Sequence, residues 1–170
     1  MFKCSVNTDF NGIVLFDPYR LIEFFGGAIA SGADLFTLFR TSDVGDQVLQ
    51  AGIVIPILAI DDAGYSLEVL IDEESARPLS DIQFSNGIFP LHIQKKLVVA
   101  DLAVFKEWEE DTGWIETPVS EGFYAATVRG FRTRNEQGHI VDCGYEVSLK
   151  TVTEMPILSG STSINARVFD

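Results

Sequence analysis

The sequence predicts a mostly β protein, an antiparallel β-sandwich carrying one or two short helices. Short apolar stretches recur along the whole chain, many alternating apolar with polar residues, which is the pattern of strands that bury one face. Gly, Asn and Asp separate them at short intervals, as in a sandwich or barrel rather than in alternating βαβ units. The 170 residues are 46% hydrophobic and include 13 phenylalanines, enough for a core without a metal or disulfide staple and too many for a disordered chain. That length fits a single domain over residues 1–170.

In chain order, strands are predicted over Phe2–Thr8 and Gly12–Phe16. A helix then follows over Pro18–Phe25, with Asp17 as N-cap, Pro18 at the first helical position and Gly26-Gly27 as the stop. Leu21, Phe24 and Phe25 give that helix one apolar face. A strand is expected at Leu35–Phe39 and a second short helix from Ser42 to Gln50, ended by Gly52. Strands over Ile53–Ile60 and Tyr65–Ile71 flank Asp61-Asp62-Ala63-Gly64, which reads as a hairpin loop. Further strands are expected at Phe89–Ile93 and Leu97–Phe105. A second hairpin joins Phe123–Thr133 to Ile140–Val152 through Asn135-Glu136-Gln137-Gly138, with Val141, Cys143, Tyr145, Val147 and Leu149 facing inward. Ser161–Phe169 completes the set as a tenth strand.

Charge is distributed unevenly. The chain has 25 acidic residues against 12 Lys and Arg, for a net charge of −13. From Asp34 to Glu74 nine acids face Arg40 alone, and from Asp101 to Glu121 seven face Lys106 alone. Elsewhere the balance is nearly even, and Arg129, Arg132 and Arg134 form a basic stripe. Such a surface argues against nucleic acid or an anionic membrane as partner, because both demand Lys and Arg at the contact, and it favours a basic protein. The segment Glu107-Trp108-Glu109-Glu110-Asp111-Thr112-Gly113-Trp114 sets three carboxylates between two tryptophans and a fourth, Glu107, just before them. Carboxylates steer a cationic protein while rings supply desolvated contact area, so Glu107, Trp108, Glu109, Glu110, Asp111 and Trp114, with Asp61 and Asp62, are the candidate partner-binding residues.

Catalytic patterns are missing. His92 and His139 are the two histidines, too few for a three-histidine zinc site, and no Gly-x-Ser-x-Gly elbow or phosphate-binding loop occurs. Glu68 and Glu146 are the strand carboxylates a sugar-cleaving pair would need, but on an outward strand face such groups are expected to be solvated. No cofactor or metal is expected, and the chain is read as a binding protein rather than an enzyme. Cys4 and Cys143 match no metal spacing and are read as buried thiols. The N-terminus lacks the basic and apolar pattern of a signal peptide, so a cytoplasmic location is expected.

Several stretches carry a resemblance in their pattern of strands and turns. Gly12-Ile13-Val14-Leu15-Phe16-Asp17-Pro18 is followed by the small-residue stretch Gly26–Gly32 and by Leu35–Phe39. Later, Pro118-Val119-Ser120-Glu121-Gly122-Phe123-Tyr124 leads to a strand and to Ile140-Val141-Asp142. Together they resemble the competence protein J family over roughly two-thirds of the chain. That resemblance implies a small acidic inhibitor of a DNA-uptake nuclease without enzymatic activity, a description shared by bacterial toxin-immunity proteins. This chain is longer, with an added acidic loop around Trp108–Trp114, and no matched position is distinctive enough to carry over a binding residue. Two other readings stay open: a module that assembles as a homo-oligomer through strand edges, and a carbohydrate-binding sandwich using Trp108, Trp114 and Tyr65 as sugar platforms.

Overall fold

The computed structural model describes residues 1–169. The chain runs β1 (Phe2–Thr8), β2 (Gly12–Phe16), α1 (Pro18–Phe24), α2 (Leu35–Thr41), α3 (Val44–Gln50), β3 (Val54–Leu58), β4 (Ala63–Ile71) and β5 (Ile82–Ile93). It continues through β6 (Val98–Asp101), α4 (Ala103–Lys106), β7 (Ile115–Glu116), β8 (Gly122–Arg134) and β9 (Ile140–Val152). Five strands form one sheet in the order β1-β4-β9-β8-β5, and four form a second in the order β3-β2-β6-β7. Every pairing is antiparallel except β4 with β9. No helix among the described residues is long and apolar enough to cross a membrane.

Two cores stack the molecule into three layers. Between the sheets lie Leu15, Ile55, Leu67, Val69, Leu91, Val99, Val128, Tyr145 and Val147. On the far side of the four-stranded sheet, Val14, Phe16, Val54, Val98 and Ala100 pack against Leu21, Leu35, Val48, Leu49 and Phe105 of the helices. That double covering explains why β2 is apolar at every position after Gly12: all five of its residues are buried. Among the described residues the outer face of the five-stranded sheet carries no α-helix and is crossed instead by the segment 72–81, and this difference decides where polar groups can collect.

The mostly β sandwich matches the sequence reading, and α1 starts where Asp17 predicts. Asp17 Oδ1 accepts the Tyr19 N–H at 3.0 Å, while Oδ2 accepts those of Gln94 and Lys95 at 2.6 and 2.9 Å. One buried carboxylate therefore caps the helix and ties it to the β5–β6 turn. The hairpin β8–β9 forms as expected, with Val128 opposite Val147 and Phe131 opposite Gly144, but Val141, expected inward, is exposed near its turn. At Gly144 the sheet permits nothing larger, because a Cβ there would meet the Ser66 carbonyl of β4.

Four expectations are corrected. Residues 35–39 are helix, not strand: Asp34 Oδ1 accepts the Thr37 N–H at 2.9 Å, and Leu35, Phe36 and Phe39 share the inner face of the turn. The segments around Asp61-Asp62 do not pair as a hairpin. β3 joins β2 beneath the helices and β4 joins β1 and β9, so the loop carries the chain from one sheet to the other. The apolar run 97–105 breaks after Asp101, whose Oδ1 accepts the Ala103 N–H at 3.2 Å and starts α4. Residues 161–169 form no strand; they are held by side chains, Tyr145 Oη donating to the Ala166 carbonyl at 2.7 Å and Arg132 Nη1 to that of Val168 at 3.2 Å. Cys4 and Cys143 are free and half-buried, and burial pushes both thiols up from their ordinary value.

Candidate partner-binding surface

The acidic loop between α4 and β7 is built around a buried anchor. Trp108 is 1% exposed, with its ring 6.2 Å from Phe16 and 5.4 Å from Trp114. Its backbone is pinned as well: the Trp108 N–H donates to the Ala33 carbonyl at 3.0 Å, and the Gly32 N–H donates to the Trp108 carbonyl at 2.7 Å. Trp108 therefore cannot meet a partner, which corrects its assignment as a contact residue. The same apolar bulk that would supply interface area is spent in the second core instead. Trp114 is half-buried against Phe16, 5.6 Å away edge-on.

With Trp108 fixed, its neighbours Glu107, Glu109, Glu110 and Asp111 all stand exposed. Among the described residues none of these carboxylates lies within ion-pair distance of a base. Glu109 Oε1 accepts from Ser31 Oγ at 2.6 Å, which orients it without neutralising it. The base nearest in sequence, Lys106, is committed elsewhere, donating to Asp34 Oδ2 at 2.6 Å. That hydrogen bond, helped by two from Thr37, holds the Asp34 carboxyl at about 2.

Asp61 and Asp62 sit apart from this loop. Asp61 pairs with Arg167 at 3.6 Å, whereas Asp62 Oδ1 accepts the Asn11 N–H at 2.8 Å. The turn containing Asn11 is also held by Asp101, which accepts from Thr8 Oγ1 at 2.8 Å and from the Asp9 N–H at 2.9 Å. Asp9, Asp62 and Asp101 thus form an acidic corner at the start of α4, and the Glu107–Asp111 run begins where α4 ends, one helical turn or about 6 Å further on.

A second carboxylate cluster contains Glu68 and Glu146, which the sequence placed on strands but expected to be solvated. Glu68 and Glu146 are partners in the parallel β4–β9 ladder, on the outer face of the five-stranded sheet. Rather than being solvated, as strand carboxylates on that face were expected to be, they are 5% and 1% exposed. The segment 72–81 crosses above them and supplies Arg77, whose Nη2 donates to Glu68 Oε1 at 2.6 Å and to Asp142 Oδ2 at 3.3 Å. The guanidinium lies 3.3 Å above the Phe131 ring, and Lys3 adds a further ion pair to Glu68 at 3.2 Å. Alternation alone placed these residues outward; only the crossing segment shows that outward here means covered.

No protein-family model matches the sequence, and no curated protein matches it. Two solved structures share its architecture. ComJ of Bacillus subtilis, an inhibitor of the DNA-degrading activity of NucA, superposes with a TM-score of 0.50 at 9% identity, over 89% of this chain and 96% of its own. The product of crocagin biosynthetic gene J superposes with a TM-score of 0.50 at 10% identity, over 89% of this chain and 99% of its own. The resemblance read from the pattern of strands and turns therefore holds at the level of the fold, which this chain shares with ComJ.

Proposed function

We propose that this protein is a non-enzymatic inhibitor that binds a cationic protein, a nuclease or other bacterial toxin, in the manner of an immunity protein. One observation carries the reading. Glu107, Glu109, Glu110 and Asp111 present unneutralised charge on a loop whose backbone Trp108 holds in place. Charge that is both unpaired and preorganised steers association without an ordering cost at contact. A nuclease grips phosphate with basic groups, so an acidic loop offers it a substitute for its substrate. The fold shared with an inhibitor of a DNA-degrading protein supports the same reading.

In this account Asp62 and Asp9 extend the contact along α4, and Trp114 lies at its apolar margin. The test is an inhibition assay with purified basic bacterial nucleases, beginning with any encoded beside this gene. Stoichiometric loss of DNA cleavage by one of them is the expected result, with no cleavage by this protein alone. Full nuclease activity throughout the panel, or cleavage by the protein itself, would overturn the proposal.

A further inference from the structure

The helix layer holds a row of aromatic rings that runs out of the core. Between ring centroids, Phe16 lies 5.1 Å from Phe105, Phe105 5.4 Å from Phe39, Phe39 6.4 Å from Phe25 and Phe25 5.3 Å from Phe24. Phe16 and Phe105 are buried, Phe39 and Phe25 are half-buried, and Phe24 is 37% exposed. Beyond it the chain stays apolar and uncovered. From Phe24 to Ala33 no residue is charged, Ala28 and Ala30 are exposed, and Ile29 is half-buried. The space above is open, since a Cβ added at Gly26, Gly27 or Gly32 would meet no atom within 4 Å. Apolar surface left bare in one run, rather than as scattered single side chains, marks an interaction site.

Position and charge together identify what covers it. The far end of the run is laced to the acidic loop: the Gly32 N–H donates to the Trp108 carbonyl at 2.7 Å, the Trp108 N–H to that of Ala33 at 3.0 Å, and Ser31 Oγ to Glu109 Oε1 at 2.6 Å. The bare apolar run and the exposed carboxylates therefore lie side by side on one surface, the arrangement of an interface with an apolar centre and a charged rim. A second copy of this chain, at a net charge of −13, would set like charge against like. An anionic membrane meets the same repulsion. A basic protein meets none, and the adjoining carboxylates attract it.

Resting on the reading of this protein as an inhibitor of a cationic nuclease, we propose that Phe24–Ala30 is the apolar half of the same interface. It seats in an apolar hollow bordering the partner's basic cleft, with Phe24 as its anchor. The acidic loop then sets the rate of encounter, and the apolar run sets how long the complex lasts. Ala28→Glu separates the two. It adds an acid, so association with the inhibited nuclease should be at least as fast as for the unaltered protein. Dissociation, followed by surface plasmon resonance, should nevertheless be about tenfold faster, because the new carboxylate is buried against apolar surface. Ala28 is exposed, so the melting temperature of this variant should not move. Phe24→Ser should also dissociate about tenfold faster, with the salt dependence of association unchanged. Unchanged dissociation of either variant overturns the proposal, and the inhibitor reading survives that result if Glu109→Lys with Glu110→Lys still slows association. Failure to inhibit any nuclease removes both. A sedimenting dimer that Ala28→Glu disperses, or retention of the protein on phosphatidylcholine vesicles, would give this face to another occupant and equally overturn the proposal.

Discussion

On the outer face of the five-stranded sheet, Glu68 and Glu146 are buried and gripped by Arg77, Lys3, Ser75 and Arg129. At the far side of the molecule, Glu107, Glu109, Glu110 and Asp111 stand exposed, with no base within ion-pair distance among the described residues. The side chains are of the same chemical kind, yet the first set is committed to the fold and the second is free to act on something outside it. What separates them is cover. The 72–81 segment closes over the sheet and brings its own arginine, whereas Trp108 turns inward and pushes its acidic neighbours out. Acidity along a sequence therefore does not locate a binding surface; unpaired acidity does.

The sharpest way to break this contrast is at Arg77. Arg77→Met would leave Glu68 and Glu146 without their main cation while both remain buried, at a cost of about 3–5 kcal/mol in chemical denaturation. A loss below 1 kcal/mol would mean that the cluster is wetter and looser than described. Trp108→Ala tests the other side. It empties a fully buried site in the second core, so it should also cost about 3–5 kcal/mol. Partner binding should weaken too, since the loop loses its anchor; unchanged stability would contradict the buried placement.

Smaller effects sharpen the comparison. Glu109→Lys with Glu110→Lys alters exposed positions and should leave the denaturation midpoint almost unmoved, in contrast to Arg77→Met. Asp34 gives the smallest signal. Its carboxyl, held mainly by the Lys106 hydrogen bond, lies at about 2 against an ordinary 3.8. A depressed carboxylate contributes stability that is present above its ordinary value and lost as pH falls toward the folded one. Lys106→Met should therefore lower the melting temperature slightly at neutral pH, where that contribution is present, and leave it nearly unchanged near pH 2, so the decline between pH 4 and about 2 flattens. An identical acid limb in both proteins would show that the pair does not bind in solution.

How much of this was legible in the sequence follows from how local each signal is. The β8–β9 hairpin could be read because its turn, alternation and inward face lie within one stretch, Phe123 to Val152. Asp17 announced α1 for the same reason. The pairing of β3 and β4 was not readable, since adjacency along the chain favoured a hairpin and only burial on both faces of β3 assigns it beneath the helices. Leu35–Phe39 satisfies both periods over so short a run, and the cap at Asp34 was the deciding signal. For the site, the four exposed acids were readable from composition, but the burial of Trp108 depends on Phe16 and Ala33, far away in sequence. Glu68 and Glu146 were readable as strand carboxylates, but not their burial as ladder partners beneath Arg77, because a parallel ladder and a crossing segment join residues with no local relation.

The account turns on whether the acidic loop drives recognition, and the association rate with an inhibited nuclease measures that directly. Followed by stopped flow from low to high salt, the unaltered protein should associate fast at low salt and slow steeply as salt rises. Glu109→Lys with Glu110→Lys should associate ~10-fold or more slowly at low salt, with a much flatter dependence. Equal rates and equal slopes for the two proteins would contradict the claim that Glu107–Asp111 is the surface that meets the partner.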